Sequence, residues 1–412
     1  MTLIDYAKRV FKYGWRGVCL WADIKTGEYK LRRFFKANAQ RVDVKPCKGV
    51  TLVGSYTGQD SINKVMRDLL LSITEAGIPC QALNLGSQAD PAKTGVLRLT
   101  TSKENFAIKK HPLVLEILNS IVPSELVEDS ATIAFWEFED GFSPVYPAYR
   151  KKSHVIGMSD FVVETMRKEL PPSVRVSKLL YPFRPCGGEI PRRHHVRKRF
   201  GIPDESFAVF FNFDFASGFG RKNPDGALRT FAEAFKHDKE AFLVFKTMRS
   251  SRAPERVRYL ERLSHELGVA DRFLMIHEYI SNDDIYGLTN ACDVYLSLHR
   301  GEGFGLGVAE AMSMGLPVIV SDYSATTEFC KEGNSIPVPC EIVPIKPEQN
   351  DHLTYSYVTK WAEPDISIAA EALRRLKCDP DFRLSIGMRA KKYIEEYFSI
   401  DNFKASLETL LR

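Results

Sequence analysis

No stretch of the 412 residues approaches the ~20 consecutive apolar residues of a transmembrane helix. The opening MTLIDYAKRVFKYGW carries charge every few residues and has no apolar core, so no secretory leader is expected. The expected location is cytoplasmic, at most peripheral on the inner face of a membrane. None of the eight cysteines (Cys19, Cys47, Cys80, Cys186, Cys292, Cys330, Cys340 and Cys378) stands in a C-x-x-C pair or in a His/Cys group with zinc spacing. That argues against a zinc module and for buried free thiols in a reducing compartment. No Walker A sequence occurs. GEGFGLG places Leu306 or Val308 where a third fingerprint glycine is required, and GSYTG also fails, so no dinucleotide-binding fingerprint is present. Low-complexity segments and internal repeats are absent as well.

What is there is ordinary globular material, 44% hydrophobic and 26% charged, enough for two or three domains. The charge is uneven. Residues 1–47 hold eleven Lys/Arg against four Asp/Glu, an excess of seven in a chain whose whole net charge is +5. Phe11, Tyr13, Trp15, Trp21, Phe34 and Phe35 are interleaved with these cations. Such a segment reads as an amphipathic extension packed on the first domain. A peripheral contact with an anionic membrane surface is the alternative.

From residue 48 onward, short apolar strands alternate with helical periods. GVTLVGSYTG reads as a strand, INKVMRDLLLSITEAG as an amphipathic helix stopped by Gly77, and IPCQALNL as a second strand. TIAFWEF is a further strand, and Ser159 is placed to cap a helix from Phe161. YPFRPCGGEIP then breaks the pattern, and β-α-β order begins afresh with SFAVFFNFDF. The order predicts an α/β fold of two doubly wound, Rossmann-like domains with parallel sheets. The expected division is a 1–47 extension, a 48–185 domain, a 186–395 domain and a 396–412 helix returning to the first domain. The default ligand site of such a pair is the cleft between them.

DVYLSLHRGEGFGLGVAEAMSMGLPVIVSD holds the chemistry. A strand ends near Leu298, a glycine-rich loop follows, and a helix opens around Leu306. Gly303, Gly305 and Gly307 would let backbone approach a ligand, and the helix start offers free N–H groups to an anion such as a diphosphate. Glu302 and Glu310 bracket that anion site. A carboxylate beside a phosphate is repelled unless it holds something else, and paired sugar hydroxyls are suitable donors. A diphosphate between two polyols is a sugar nucleotide, with Glu302 facing the hexose and Glu310 the ribose. His194 and His195 in RRHHVRK lack the further ligands of a metal site, and one short basic helix is thin support for nucleic-acid binding, so no nucleic-acid partner is expected.

EGFGLGVAE resembles the E-x7-E signature of the retaining family-four glycosyltransferases. The wider SLHRGEGFGLGVAEAMSMGLPVIVSDYSATTEF, including Glu328, resembles them too. The resemblance implies the GT-B fold, two Rossmann-like domains facing across a cleft. It also implies a metal-independent hexosyltransferase with no cofactor beyond its nucleotide-sugar co-substrate. By the same resemblance Arg221 and Lys222, in FNFDFASGFGRKNPDG, bind the donor diphosphate, with Pro224 opening the next helix. Relatives carry an additional Arg earlier; here that region, Asn212 to Ala216, reads NFDFA, and Lys246 and Arg300 are the candidates for the missing charge. Phe304 and Leu306 join the donor loop, and Tyr279 and Ile280 match where relatives contact the nucleobase through backbone. An ordinary core tyrosine is the equal alternative for Tyr279. On the acceptor side, Gly54 and Ser55 resemble the flexible first loop, and Trp136 and Glu137 resemble the segment lining the acceptor cleft. His111 and His154 lie outside the position where relatives present a histidine.

The expected catalytic group is Glu302, Lys222 and Arg221. The expected substrates are a nucleotide-diphosphate hexose, with GDP-mannose first, and a saccharide or lipid-linked saccharide acceptor. The reading of another class is a non-catalytic nucleotide-sugar-binding or scaffold protein on the same fold.

Overall fold

A computed structural model describes residues 49–54, 61–84, 113–116, 130–185, 191–277, 279–346, 349 and 355–411. The expectations for residues 1–47 and for Ser55 lie outside the described residues. The chain divides into two compact units. The first comprises the described residues within Met1–Phe135, Gly141–Phe183 and Ile400–Arg412; the second comprises Trp136–Asp140 and Arg184–Ser399.

The first unit is built on six parallel strands: β1 (Val50–Gly54), β2 (Cys80–Asn84), β3 (Leu113–Glu116), β4 (Ser130–Ala134), β5 (His154–Gly157) and β6 (Arg175–Lys178), in the order β2-β1-β3-β4-β5-β6. Leu52, Leu115, Ile133 and Val155 are buried, as parallel strands covered on both faces require. The helix Ser61–Glu75 turns Met66, Leu69 and Ile73 inward, and Gly77 (φ 72°) follows its end. Ser159 caps the helix Asp160–Glu169 by accepting from the Val162 amide at 3.3 Å. The last helix, Ile400–Leu411, is tied to this unit by the Leu180 amide donating to Ser406 Oγ at 2.9 Å. The TIAFWEF strand is shorter than the sequence suggests. Pairing with β5 stops at Ala134, and Trp136–Asp140 belongs to the second unit.

The second unit is also a six-stranded parallel sheet: β7 (Phe207–Asp214), β8 (Ala241–Met248), β9 (Phe273–Ile276), β10 (Val294–Ser297), β11 (Val318–Ser321) and β12 (Ile336–Val338), in the order β12-β11-β10-β7-β8-β9. β7 is central, so both its faces are covered. Phe211 meets Phe245 at a ring-centroid distance of 4.8 Å, and Phe213 meets Phe215 at 4.7 Å. Strand order reverses between β7 and β10. At such a switch point the two loops leaving the carboxyl ends of the strands run in opposite directions and leave room for a ligand. The antiparallel hairpin β13 (Cys340–Pro344) and β14 (Lys360–Pro364) follows β12.

The helices Leu306–Ser313 and Pro380–Tyr397 meet through glycine. A Cβ on Gly387 would lie 2.0 Å from the Gly315 carbonyl oxygen. In an open helix, Gly→Ala gains up to ~1 kcal/mol. Here overpacking against backbone costs more, so Gly387→Ala is expected to destabilise the protein by about 2 kcal/mol. Urea unfolding of the two proteins measures this, and a more stable variant would refute the close contact.

Candidate functional site

The loops after β7 and β10 meet at the switch point. The first runs through Gly218 into a one-turn helix, Phe219–Lys222, and ends at Asn223. Asn223 adopts φ 58°, is fully buried, and uses both ends of its amide. Its Oδ1 accepts from the Gly226 amide at 3.1 Å, capping the helix Pro224–Phe235, and its Nδ2 donates to the Leu298 carbonyl at 2.9 Å. One side chain thus starts a helix and fixes the cationic loop against the end of β10. Pro224 occupies the first helical turn.

The second loop, Leu298–Gly305, delivers Glu302. Its carboxylate is ion-paired with Lys222 and lies 3.2 Å from Arg221 Nη1. Burial alone would raise the Glu302 carboxyl, but Lys222 and Arg221 outweigh it and hold it at about 2, below its ordinary 4.5. Glu302 is therefore anionic at neutral pH.

The two cations differ. Arg221 is 4% exposed and its donors are consumed internally. Nη1 donates to the Gly301 carbonyl at 2.8 Å, Nη2 to the Ser217 carbonyl at 2.9 Å, and Nε to Tyr355 Oη at 3.0 Å. Arg221 therefore acts as a brace between the two loops, which corrects its expected place as a direct diphosphate ligand. Lys222 is 22% exposed and remains the more accessible charge.

Glycines in the loop after β10 and at the start of the following helix serve packing within the protein. A Cβ on Gly303 would lie 2.9 Å from the Trp136 carbonyl, on Gly305 (φ 89°) 2.3 Å from Thr326 Cγ2, and on Gly307 2.5 Å from Tyr295 Oη. The expected approach to a ligand is thus replaced at these Cβ positions by contact with protein atoms. Gly305 stands at the N-cap of the helix Leu306–Ser313, whose first N–H groups have no intrahelical partner. Glu310, on that helix, accepts from Tyr286 Oη at 3.0 Å. Phe304 packs against Phe329 and Phe398, each at 5.6 Å.

Several expected contacts fall elsewhere. Arg300 gives Nε and Nη2 to Glu363 at 2.7 and 2.8 Å and Nη1 to the Gly220 carbonyl at 2.6 Å, so its charge is engaged inside the protein. Lys246 lies in β8, buried, and donates to the Thr247 carbonyl at 2.7 Å. Tyr279 is 68% exposed, which overturns its reading as a core tyrosine, whereas Ile280 is buried. Trp136 is buried against Phe138 and Tyr355 and donates to the Asp140 carbonyl at 2.9 Å; it is an anchor, not an acceptor-facing ring. Glu137 sits 3.8 Å from Arg221 within the second unit. Gly54 is buried at the end of β1.

Other residues at the site went unnoticed in the sequence. Arg249, after β8, pairs with Asp214 at the end of β7, so a cation does reach the NFDFA edge from the neighbouring strand. His299 is buried, with Nδ1 3.1 Å from Ser297 Oγ and Nε2 3.2 Å from Thr326 Oγ1. Burial pushes its imidazole down to about 4, so it is neutral at pH 7. Ser324 (φ 66°) accepts from the Glu302 amide at 2.9 Å, and the Ala325 amide donates to the Glu302 carbonyl at 3.2 Å. His299 sits inside the SLHRGEGFG stretch and was within reach of sequence reasoning. Ser324 and Arg249 carry no local signal.

Residues 198–342, covering both loops, match the family model described as glycosyl transferases group 1. The chain resembles that family. Curated relatives include the lipopolysaccharide glucosyltransferase WaaG of Escherichia coli, 26% identical over 204 residues, 47% of this chain and 49% of that protein. Another is the lipopolysaccharide core biosynthesis mannosyltransferase LpsB of Rhizobium meliloti, 39% identical over 67 residues, 16% of this chain and 18% of that protein. The chain spans less than half the length of these relatives. Among solved structures, Anabaena HepE in complex with UDP and glucose superposes with a TM-score of 0.58 at 13% identity, covering 88% of this chain and 99% of that one. The fold is α/β of the GT-B type, with two Rossmann-like units.

The ion pairs make a pH prediction. A depressed carboxyl stabilises the fold fully above about pH 4.5, and that contribution is lost as pH falls towards about 2. Glu302→Gln is expected to cost about 2–3 kcal/mol at pH 7, since it leaves two cations short of their partner. Urea unfolding at several pH values should show the gap to the parent closing through that window; a pH-independent gap would mean the carboxylate is not held by these cations.

Proposed function

We propose that the chain is a retaining glycosyltransferase. It moves a hexose from a nucleotide-diphosphate sugar to a saccharide or lipid-linked saccharide. The observation that carries this reading is the meeting of Lys222, Glu302 and the Gly305-led helix start at the switch point of the second sheet. Lys222 and the free N–H groups of that helix would meet the charge that grows on the leaving diphosphate, so the reading needs no divalent metal. Glu302, kept anionic, would accept from the hexose hydroxyls and stabilise an oxocarbenium-like transition state. Glu310 would take the ribose. In the proposed step the bond from the anomeric carbon to the acceptor oxygen forms on the face where the bond to the diphosphate oxygen breaks. The acceptor proton passes to a phosphate oxygen. Arg221 acts through the loops it ties together.

GDP-mannose is the first choice of donor. It rests on the SLHRGEGFGL stretch and on the similarity to a protein named as a mannosyltransferase. A basic, aromatic 1–47 segment suits a peripheral membrane location near a lipid-linked acceptor. A second reading, a non-catalytic nucleotide-sugar binder, is favoured by one observation: the Glu302 carboxylate is ion-paired with both Lys222 and Arg221, which leaves less positive charge to offset a leaving diphosphate.

Thermal shifts with GDP-mannose, UDP-glucose, dTDP-rhamnose and an ADP-sugar, each with and without Mg²⁺, test the binding. At about 100 times its Kd, a ligand of the folded state adds ~2.7 kcal/mol. A shift with one nucleotide, abolished by Glu310→Ala, is the expected outcome, and release of free sugar or transfer by the parent but not by Glu302→Gln separates catalysis from binding. No shift with any of them would overturn the reading.

A further inference from the structure

The hairpin β13–β14 and the described residues between its strands reach both loops of the site. From Tyr355 the contact runs to Arg221: Nε donates to the phenol oxygen at 3.0 Å, and the guanidinium carbon lies 6.0 Å from the ring centroid. Arg221 then holds the Gly301 carbonyl and faces the Glu302 carboxylate. From β14, Glu363 takes Arg300 through both carboxylate oxygens, and the Ala362 amide donates to the Arg300 carbonyl at 3.3 Å. Arg300 in turn stacks over Trp361, at 4.9 Å, and donates to the Gly220 carbonyl.

The fit is close. A Cβ on Gly218 would lie 2.7 Å from the Tyr355 ring, and one on Gly220 would lie 2.6 Å from the Gln349 carbonyl and 2.9 Å from Trp361. Glycine at both positions therefore lets the hairpin lie directly on the cationic loop. The family match ends at residue 342, so Tyr355, Trp361 and Glu363 all lie beyond it.

We infer that Tyr355 and Glu363 are positioning residues that set the Glu302 carboxylate through Arg221 and Arg300. The inference rests on the proposed role of Glu302 toward the donor hexose. The two arms converge on Glu302: one reaches its carboxylate and the Gly301 carbonyl just before it through Arg221, and the other holds Arg300, two residues before it, by side chain and backbone. A carboxylate that must meet a sugar has to be held to a fraction of an ångström, and the bidentate pair of the buried Arg300 guanidinium with the half-buried Glu363 contributes to that constraint. Removing either arm should leave Lys222 and the helix start in place. The nucleoside diphosphate should then still bind, while the share of affinity contributed by the sugar falls.

The full chain, its Tyr355→Phe and its Glu363→Gln forms would be titrated calorimetrically with GDP and GDP-mannose, and with UDP and UDP-glucose. Amide hydrogen exchange of residues 298–305 would be followed without ligand. Each variant is expected to keep its nucleoside-diphosphate Kd within about twofold, lose about tenfold in the extra affinity for the nucleotide sugar, and exchange faster in that loop. If the parent prefers a nucleotide sugar and both variants keep that preference, the positioning role is wrong while the donor reading stands. Equal loss of nucleotide and nucleotide sugar would reduce the hairpin to a structural support and also overturn it. If the parent binds no nucleotide sugar, the donor reading fails and the role toward a hexose falls with it. Exchange then decides what is left: unchanged protection in both variants would show that the hairpin does not hold the loop at all.

Discussion

The guanidinium of Arg221 has almost no access to water, and a buried charge costs several kcal/mol unless acceptors surround it. The surrounding structure supplies them from three separate parts of the chain: the Ser217 carbonyl before it, Gly301 and Glu302 from the loop after β10, and Tyr355 from the hairpin segment. Arg221 in turn helps to fix each of these groups. The loops that carry Lys222 and Glu302 are thereby held together by protein groups. Burial raises a carboxyl and lowers a cation, yet the cluster keeps Glu302 anionic because two cations stand against one carboxylate.

That arrangement separates two tasks that adjacent basic residues often share. Arg221 spends its donors on the protein, and Lys222 keeps the more exposed charge. The planar, always-charged guanidinium suits the first task, because it can satisfy several fixed carbonyls at once; the flexible ammonium, a point charge, leaves its neighbours less constrained. Glu302 is similarly fixed by Ser324 and Ala325 along its backbone and by cations at its side chain. The glycines of the loop after β10 serve the same end, since Gly303 and Gly305 leave room for the Trp136 carbonyl and Thr326 where a Cβ would collide.

Much of this was legible beforehand. The strand–loop–helix frame of Glu302 and Glu310 follows from an apolar run, a glycine cluster and a helical period within about thirty residues. The start at Pro224, the cap at Ser159 and the stop near Gly77 are likewise local, because a cap bonds to an amide two or three residues away. The alternation of strands and helices was enough for two parallel sheets, because a parallel pair needs a crossover.

The availability of each cation was not legible. Arg221, Arg300 and Lys246 look alike as basic residues near strand ends, and their roles depend on partners such as Glu363 and Tyr355, more than sixty residues from Arg300 or Arg221. Trp136 and Glu137 follow a first-unit strand yet group with the second unit, where Gly301 and Gly303 leave room for their backbone. The sequence by itself determined the elements, the switch-point loops and the candidate carboxylates, because periodicity and capping act over a few residues. Only the tertiary structure decided which charges are consumed and which are left accessible, because a buried charge takes whatever acceptors the fold brings to it.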